Sequence, residues 1–204
     1  MTDKKQCGMT LLELTVVLLI LIALAGLAIP YVGGTSRKAL CDATDVTMAN
    51  VKRAIMDRYY LDTLGSFPVS AGGADYSLTY LFIAGGRADY DPDTQVGWRG
   101  PYLATAASLA SEAALATNLT SAAGTYVHLA FADNDAVVND AWGRPIVLQV
   151  NGAVARLVSA GPGNGLSIAD ADIDTRIVDS RQNDDRILYL NVPTPAADVN
   201  PSCE

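Results

Sequence analysis

Glu13 is the residue of this chain whose position most strongly indicates chemistry. It stands at the entrance of an apolar run that extends from Leu14 to Val32. A charge at the centre of a bilayer costs about 2.5–3.5 kcal/mol on insertion scales, so an acid beside such a run needs a partner that neutralises it. The position of Glu13 therefore predicts an ion pair with a positive group.

A small residue precedes the apolar run. Gly8 ends a short basic leader, and Met9 begins the sequence Met-Thr-Leu-Leu-Glu that leads into the run. In a secretory signal peptide the small residues of the cleavage site follow the apolar core. Here a cut after Gly8 would remove the leader and leave the apolar helix on the chain. A helix from Met9 to Val32 would cover about 36 Å against about 30 Å of hydrocarbon, which predicts a membrane span.

The order of leader, glycine, Met-Thr-Leu-Leu-Glu and apolar helix resembles the class III leader of type IV pilins and type II secretion pseudopilins. The resemblance implies that a prepilin peptidase cuts between Gly8 and Met9 and that the new α-amine of Met9 is N-methylated. It also implies that Glu13 pairs with the α-amine of a neighbouring subunit and sets the register of a helical filament. Pro30 takes the position of the proline that commonly loosens the pilin helix.

The remainder of the chain fits the same resemblance. Residues 35–64 have apolar side chains at helical period, and a Gly-Ser-Phe-Pro stop signal follows them. The segment Asp140–Pro145 is similar to the one that opens the pseudopilin sheet. Asn151-Gly152 is a hairpin signal between two β-rich runs, and residues 186–192 supply a third strand. We predict an α+β, pilin-like fold, in which a long N-terminal stem helix, membrane-spanning in its first half, packs on a small C-terminal antiparallel β-sheet head.

This prediction divides the chain into four parts. They are a cleaved leader (1–8), the membrane-spanning half of the stem (9–34), its amphipathic half (35–64) and a globular head (65–204). The resemblance implies a single-pass protein of the bacterial inner membrane, with a cytoplasmic leader and a periplasmic head, that is extracted into a periplasm-spanning filament.

An acidic loop lies between the last two predicted strands. The turn Ser159–Gly165 resembles the Ser-x-Gly-x-(Asp/Asn)-Gly turn of pseudopilins, and the acidic stretch after it ends on Asp184 and Asp185. In major pseudopilins this loop binds calcium. The resemblance therefore implies a calcium ion held by Asp184, Asp185 and main-chain carbonyls of the turn. A solvated acidic loop without a metal is the alternative.

The three cysteines divide by compartment. Cys7 belongs to the leader and leaves with it, whereas Cys41 and Cys203 form an even pair in a region expected to face an oxidising space. We predict a disulfide between Cys41 and Cys203, with two free thiols as the alternative.

Composition and motifs exclude several classes of function. The formal net charge is −8 and no basic stripe appears, which argues against binding of nucleic acid. The chain has one histidine, neither a nucleophile elbow nor a P-loop, and no paired metal-binding histidines, so an enzyme is not predicted.

We therefore expect a structural subunit of a type II secretion pseudopilus, which polymerises through its N-terminal helix and pushes exported proteins outward. The partners that the resemblance implies are other copies of the chain, other pseudopilins, the prepilin peptidase and methylase, an inner-membrane platform protein and an assembly ATPase. Two alternatives stay open. One is a type IV pilin or minor pilin that serves adhesion, motility or DNA uptake. The other is a membrane-anchored envelope protein, or an anchored enzyme, that never polymerises.

Overall fold

The structure is a computed structural model that describes residues 11–73, 76–108, 134–161 and 185–193. Contacts between residues divide the chain into two compact units. Among the described residues, the first unit ends at Ala39 and the second begins at Leu40.

The described chain begins with a long helical segment. The helix α1 spans Leu11–Ala54, with an acid in its first turn and two bases in its last, the order that the helix dipole favours. A π-helical turn at Ile55–Tyr59 and a short helix α2 at Tyr60–Asp62 follow directly. The chain then reverses at Gly65, whose φ of 88° suits glycine, and its N–H donates to the Tyr60 carbonyl at 2.8 Å. The helical segment therefore ends within two residues of the predicted stop.

The predicted fold class and location need correction. The sequence led us to expect a pilin-like α+β fold with a stem helix that crosses a membrane in its first half, and a single-pass inner-membrane protein. In the part of the chain that the structure describes, no helix is long and apolar enough to cross a membrane. A crossing needs about 20 predominantly apolar residues. The apolar run contains a polar residue, Thr15, and two helix-weakening residues, Gly26 and Pro30, and Glu13 stands directly before it. Beyond the run, α1 continues into a charged half. The membrane-spanning stem and the single-pass location are therefore contradicted.

Three antiparallel strands form the larger sheet. They are β3 (Val147–Asn151), β4 (Val154–Ser159) and β5 (Arg186–Tyr189), in the order β3-β4-β5. The predicted hairpin at Asn151-Gly152 joins β3 to β4, with Leu148 opposite Leu157. A second sheet pairs two short strands, β1 (Ala107–Ser108) and β2 (Ala136–Val137), and a 3₁₀ turn lies at Leu78–Leu81.

The core of the second unit lies between the helical segment and one face of the larger sheet. The helical segment contributes buried residues spaced at helical period, which are Met48, Val51, Ile55 and Tyr59. The sheet contributes alternate residues of β3 and β4, which are Leu148, Val150, Ala155 and Leu157. Neither element buries its apolar face alone, so each provides the surface on which the other folds. The opposite face of the sheet is also buried, and there the Arg156 Nε donates to the Gln149 Oε1 at 2.7 Å.

Tyr102 gives the second unit a pH-dependent stability in the alkaline range. Burial raises the pKa of Tyr102 from 10.0 to about 12, and the phenolic oxygen accepts a hydrogen bond from the Arg99 N–H at 2.9 Å. The folded chain holds the phenolic proton more tightly than the unfolded chain. The resulting stabilisation is fully present below pH 10 and is lost as the pH rises towards about 12.

We expect the free energy of unfolding to fall over this pH range, and to fall less steeply in Tyr102→Phe than in the wild type. Urea unfolding followed by tryptophan fluorescence at a series of pH values measures both slopes. Identical slopes in the two proteins would contradict the assignment to Tyr102.

Candidate functional site

The first candidate site is the exposed part of α1 from Leu11 to Leu24, which we call the assembly surface. Eleven large apolar side chains in this segment are between 43% and 83% exposed. A contiguous apolar surface of this kind marks a site of interaction, because the cost of its hydration is removed only when another surface covers it. The segment can therefore associate with a similar apolar helix.

Glu13 provides the only charge of the assembly surface, and the next charged residue along the chain is Arg37. The carboxylate lies in the first turn of α1, where the positive end of the helix dipole favours an acid. Pro30 lies within α1, which continues through it. Gly8 and Met9, the residues of the predicted processing site, lie outside the described residues, so cleavage and methylation there stay predictions.

The second candidate site is a cluster of hydrogen bonds around Asp140, which is 6% exposed. Its Oδ1 accepts from the N–H groups of Trp142 and Arg144, both at 2.9 Å, and its Oδ2 accepts from the Ser159 hydroxyl at 2.7 Å. The Ser159 oxygen in turn accepts from the Gly161 N–H at 3.2 Å. This arrangement closes a turn and ties it to the end of β4, which is a structural role.

The same turn also contacts the helix. The Ala141 N–H donates to the Thr44 hydroxyl oxygen at 3.1 Å, and Thr44 is fully buried. On the other side of the turn, an Nη of Arg144 donates to the Gly161 carbonyl at 3.0 Å. The turn therefore joins α1, β4 and the beginning of the acidic loop.

Strand β5 is held on α1 by two cationic side chains. The Arg186 guanidinium forms a bidentate ion pair with Asp45, with Nε 2.7 Å from Oδ1 and a second contact between Nη2 and Oδ2. The Lys52 Nζ donates to the Tyr189 carbonyl at 2.6 Å. Each end of the four-residue strand is thus bound to the helix.

The calcium prediction concerns the segment that precedes β5. Asp185 is 1% exposed, and Asp184 lies outside the described residues. At the turn, the Gly161 carbonyl already accepts from the Arg144 guanidinium, and this positive charge opposes a nearby cation. Within residues 11–73, 76–108, 134–161 and 185–193, no three acidic, histidine or cysteine side chains are grouped as a metal site requires. The described residues do not assemble a calcium site, and binding through Asp184 and Asp185 stays a prediction.

Cys41 is buried and disulfide-bonded. This excludes a free thiol at Cys41. The predicted partner, Cys203, lies outside the described residues, so the pairing of Cys41 with Cys203 stays a prediction.

A cleft of about 860 Å³ was not predicted from the sequence. Arg87 and three aromatic residues, Tyr60, Phe67 and Tyr76, belong to its lining. The lining residues come from separate segments between residues 60 and 191, so no local spacing identifies them. A single arginine in a region rich in glycine and tyrosine was the only available signal, and such a signal is common on protein surfaces.

Arg87 is held in place at the cleft. Its Nε donates to the Val69 carbonyl at 3.4 Å, and its guanidinium carbon lies 5.6 Å from the centre of the Tyr59 ring. Burial raises the pKa of Tyr59, and the nearby positive charge of Arg87 acts in the opposite direction. The guanidinium is therefore fixed against an aromatic face and can present its remaining N–H donors to a ligand.

Comparison with protein-family models, with curated proteins and with solved structures found no match to this chain. The resemblance to pilins and pseudopilins therefore rests on the residues quoted above. Of these residues, the structure leaves out Gly8, Met9, Asp184 and the part of the Ser159–Gly165 turn after Gly161.

Proposed function

We propose that this chain is a structural subunit that polymerises through the assembly surface into a type II secretion pseudopilus. The observation that carries the proposal is the exposed apolar segment of α1 with one carboxylate in its first turn. An isolated subunit leaves this surface in contact with solvent. Copies that stack their N-terminal helices cover it.

Apolar burial and charge pairing would have different roles in such a filament. Burial of apolar area contributes about 25 cal/mol per Å², but it does not favour one axial position of a smooth apolar helix over another. Glu13 supplies that preference if it pairs with the α-amine of Met9 in a neighbouring subunit. In a bundle with little water, the pair is stronger than in solution and an unpaired partner is costly. The pair therefore sets the register.

The contacts of the second unit suit a subunit that transmits force. The Asp45–Arg186 pair, the bond from Lys52 to Tyr189 and the bond from Ala141 to Thr44 connect the sheet and its turn with α1 from Leu40 onward. A displacement of this part of α1 would therefore carry the sheet with it. We propose that the second unit moves with this part of α1 when a filament grows, and that it contacts the exported protein or the next subunit.

The chain itself supplies no chemistry in this proposal. Processing is assigned to a prepilin peptidase and methylase, and the energy for growth to an ATPase that acts through a platform protein. Other pseudopilins would complete the filament. Nucleic acid has no role.

Processing should depend on the size of the side chain at position 8. A peptidase pocket that accepts glycine has little room for a larger group, so Gly8→Ala should be cut slowly and Gly8→Phe should not be cut. N-terminal sequencing of the protein purified from cells measures the outcome, with Met9 expected as the first residue of the wild type. Mature, functional protein that still begins with Met1 would contradict the processing site.

The system that the subunit serves can be tested in cells that lack this chain. Deletion should stop the export of folded proteins across the outer membrane and leave surface pili intact, and both can be measured in the same culture. Loss of pili with normal export would contradict the secretion role and would indicate a type IV pilin.

A further inference from the structure

The cleft beside Arg87 has no role in the proposed filament. We propose that it binds an acidic peptide segment of a partner protein, with a carboxylate of that segment held by the Arg87 guanidinium. This inference does not depend on the proposed function.

The volume of the cleft sets the size of its ligand. At about 860 Å³ it lies in the range of about 300–1,000 Å³ that is usual for ligand sites, and it is much larger than a carboxylate group. The body of the ligand must therefore contact the walls. Tyr60 and Phe67 form one wall, with ring centres 5.4 Å apart, and Tyr76 also belongs to the lining. Such rings provide apolar contact area, while the tyrosine hydroxyls can accept or donate hydrogen bonds.

The remaining lining favours a peptide. It includes glycines from five separate positions: Gly65, Gly73, Gly86, Gly97 and Gly152. A Cβ atom added at Gly73 or Gly152 would meet no atom within 4 Å, so open space lies beside both residues. An extended chain can approach a bare main chain closely enough to form hydrogen bonds with it.

The charge of the site selects an acidic ligand. Among the described residues that line the cleft, Arg87 is the only one with a charged side chain. The chain as a whole has a net charge of −8, whereas the charged side chain that lines the cleft is positive. A guanidinium binds a carboxylate with two parallel N–H···O bonds, and the contacts of Arg87 with Val69 and Tyr59 reduce the entropy lost on binding.

The test uses the purified full-length chain and a fluorescently labelled peptide, acetyl-Gly-Ala-Asp-Phe-Gly-amide. Its control is the same peptide with Asn in place of Asp. We expect the Asp peptide to bind about tenfold more tightly than the Asn peptide by fluorescence anisotropy, because only the carboxylate forms the charged pair. Equal affinities for the two peptides, or binding of neither, would overturn the proposal.

Two variants test the role of the arginine. Arg87→Met keeps much of the volume but removes the charge, and it should weaken binding of the Asp peptide about tenfold. Ala88→Glu adds a carboxylate at an exposed lining position and leaves Arg87 in place, so it should weaken binding even if Arg87→Met fails to fold. Ala43→Glu, on the exposed surface of α1, is the matched control and should bind as the wild type does. Unchanged affinity in folded Arg87→Met or in Ala88→Glu would contradict the site.

Benzoate distinguishes a peptide from a small aromatic acid. We expect benzoate to displace the Asp peptide only at concentrations at least about tenfold above those at which the unlabelled peptide does, because it lacks a main chain to contact the glycine-lined walls. Displacement at equal concentrations would exclude the peptide as the preferred occupant.

Discussion

The Glu13→Val variant should accumulate to the wild-type level in cells and form no filaments. Valine extends the apolar surface of α1, so the variant keeps the area that drives helices together. It lacks the carboxylate that we propose pairs with the α-amine of a neighbour. Subunits would then associate without a fixed register, and each contact would bury an amine without a partner, which is costly in a dry interface.

The experiment requires cells in which the variant is the only copy of the subunit. Filament yield after shearing, measured by electron microscopy and by immunoblotting, should fall below a tenth of the wild-type value. Glu13→Asp keeps the charge on a shorter side chain and should assemble in part. Asp57→Val removes a carboxylate from an exposed position beyond α1 and should leave assembly unchanged. Wild-type filament yield in Glu13→Val would exclude the pairing role.

Local signals in the sequence predicted the larger sheet and the end of the helical region, but not the small β1–β2 sheet or the 3₁₀ turn. The Asn-Gly dipeptide located the hairpin between β3 and β4, and the β-rich run before Pro193 located β5. The Gly-Ser-Phe-Pro segment located the end of the helical region. Each of these signals depends on the φ and ψ preferences of a few consecutive residues, so each can be recognised from the sequence alone.

The environment of an element was harder to predict than its type. An apolar run indicated a helix, and α1 is present, but the inference that the run crosses a membrane was wrong for the described residues. Hydrophobic residues at helical period do not specify which surface will cover them. The two tryptophans show the same limit. Trp142, in the segment expected to open the sheet, is half-buried, whereas Trp98 packs against the core and lies 6.1 Å from Tyr102 between ring centres.

Sites built from distant segments could not be predicted. The Asp45–Arg186 pair joins residues 141 positions apart, and the cleft gathers side chains from several loops. No periodicity connects such positions. Net charge does not locate such a cleft either, because the sequence does not show which residues surround Arg87.

Replacing Asp140 with alanine should destabilise the second unit by about 3 kcal/mol. The substitution removes one acceptor group from three donors, the N–H groups of Trp142 and Arg144 and the hydroxyl of Ser159. A buried donor that loses its partner costs about 1–3 kcal/mol. Ser159 is fully buried and pays this cost, whereas the two N–H groups lie at half-buried residues where water can replace part of the lost bond.

Urea unfolding of the full-length chain, followed by tryptophan fluorescence, measures the change. Asp140→Asn should cost about 1 kcal/mol, because its side-chain oxygen can still accept from both N–H groups of the turn while the Ser159 bond is weakened. Asp42→Ala, at an exposed position of α1, should change stability by less than about 0.5 kcal/mol. If Asp140→Ala were as stable as Asp42→Ala, the cluster would not hold the turn on β4. The bonds from Ala141 to Thr44 and from Arg144 to Gly161 would then have to carry that role, since they also connect this turn with α1 and with the residues after β4.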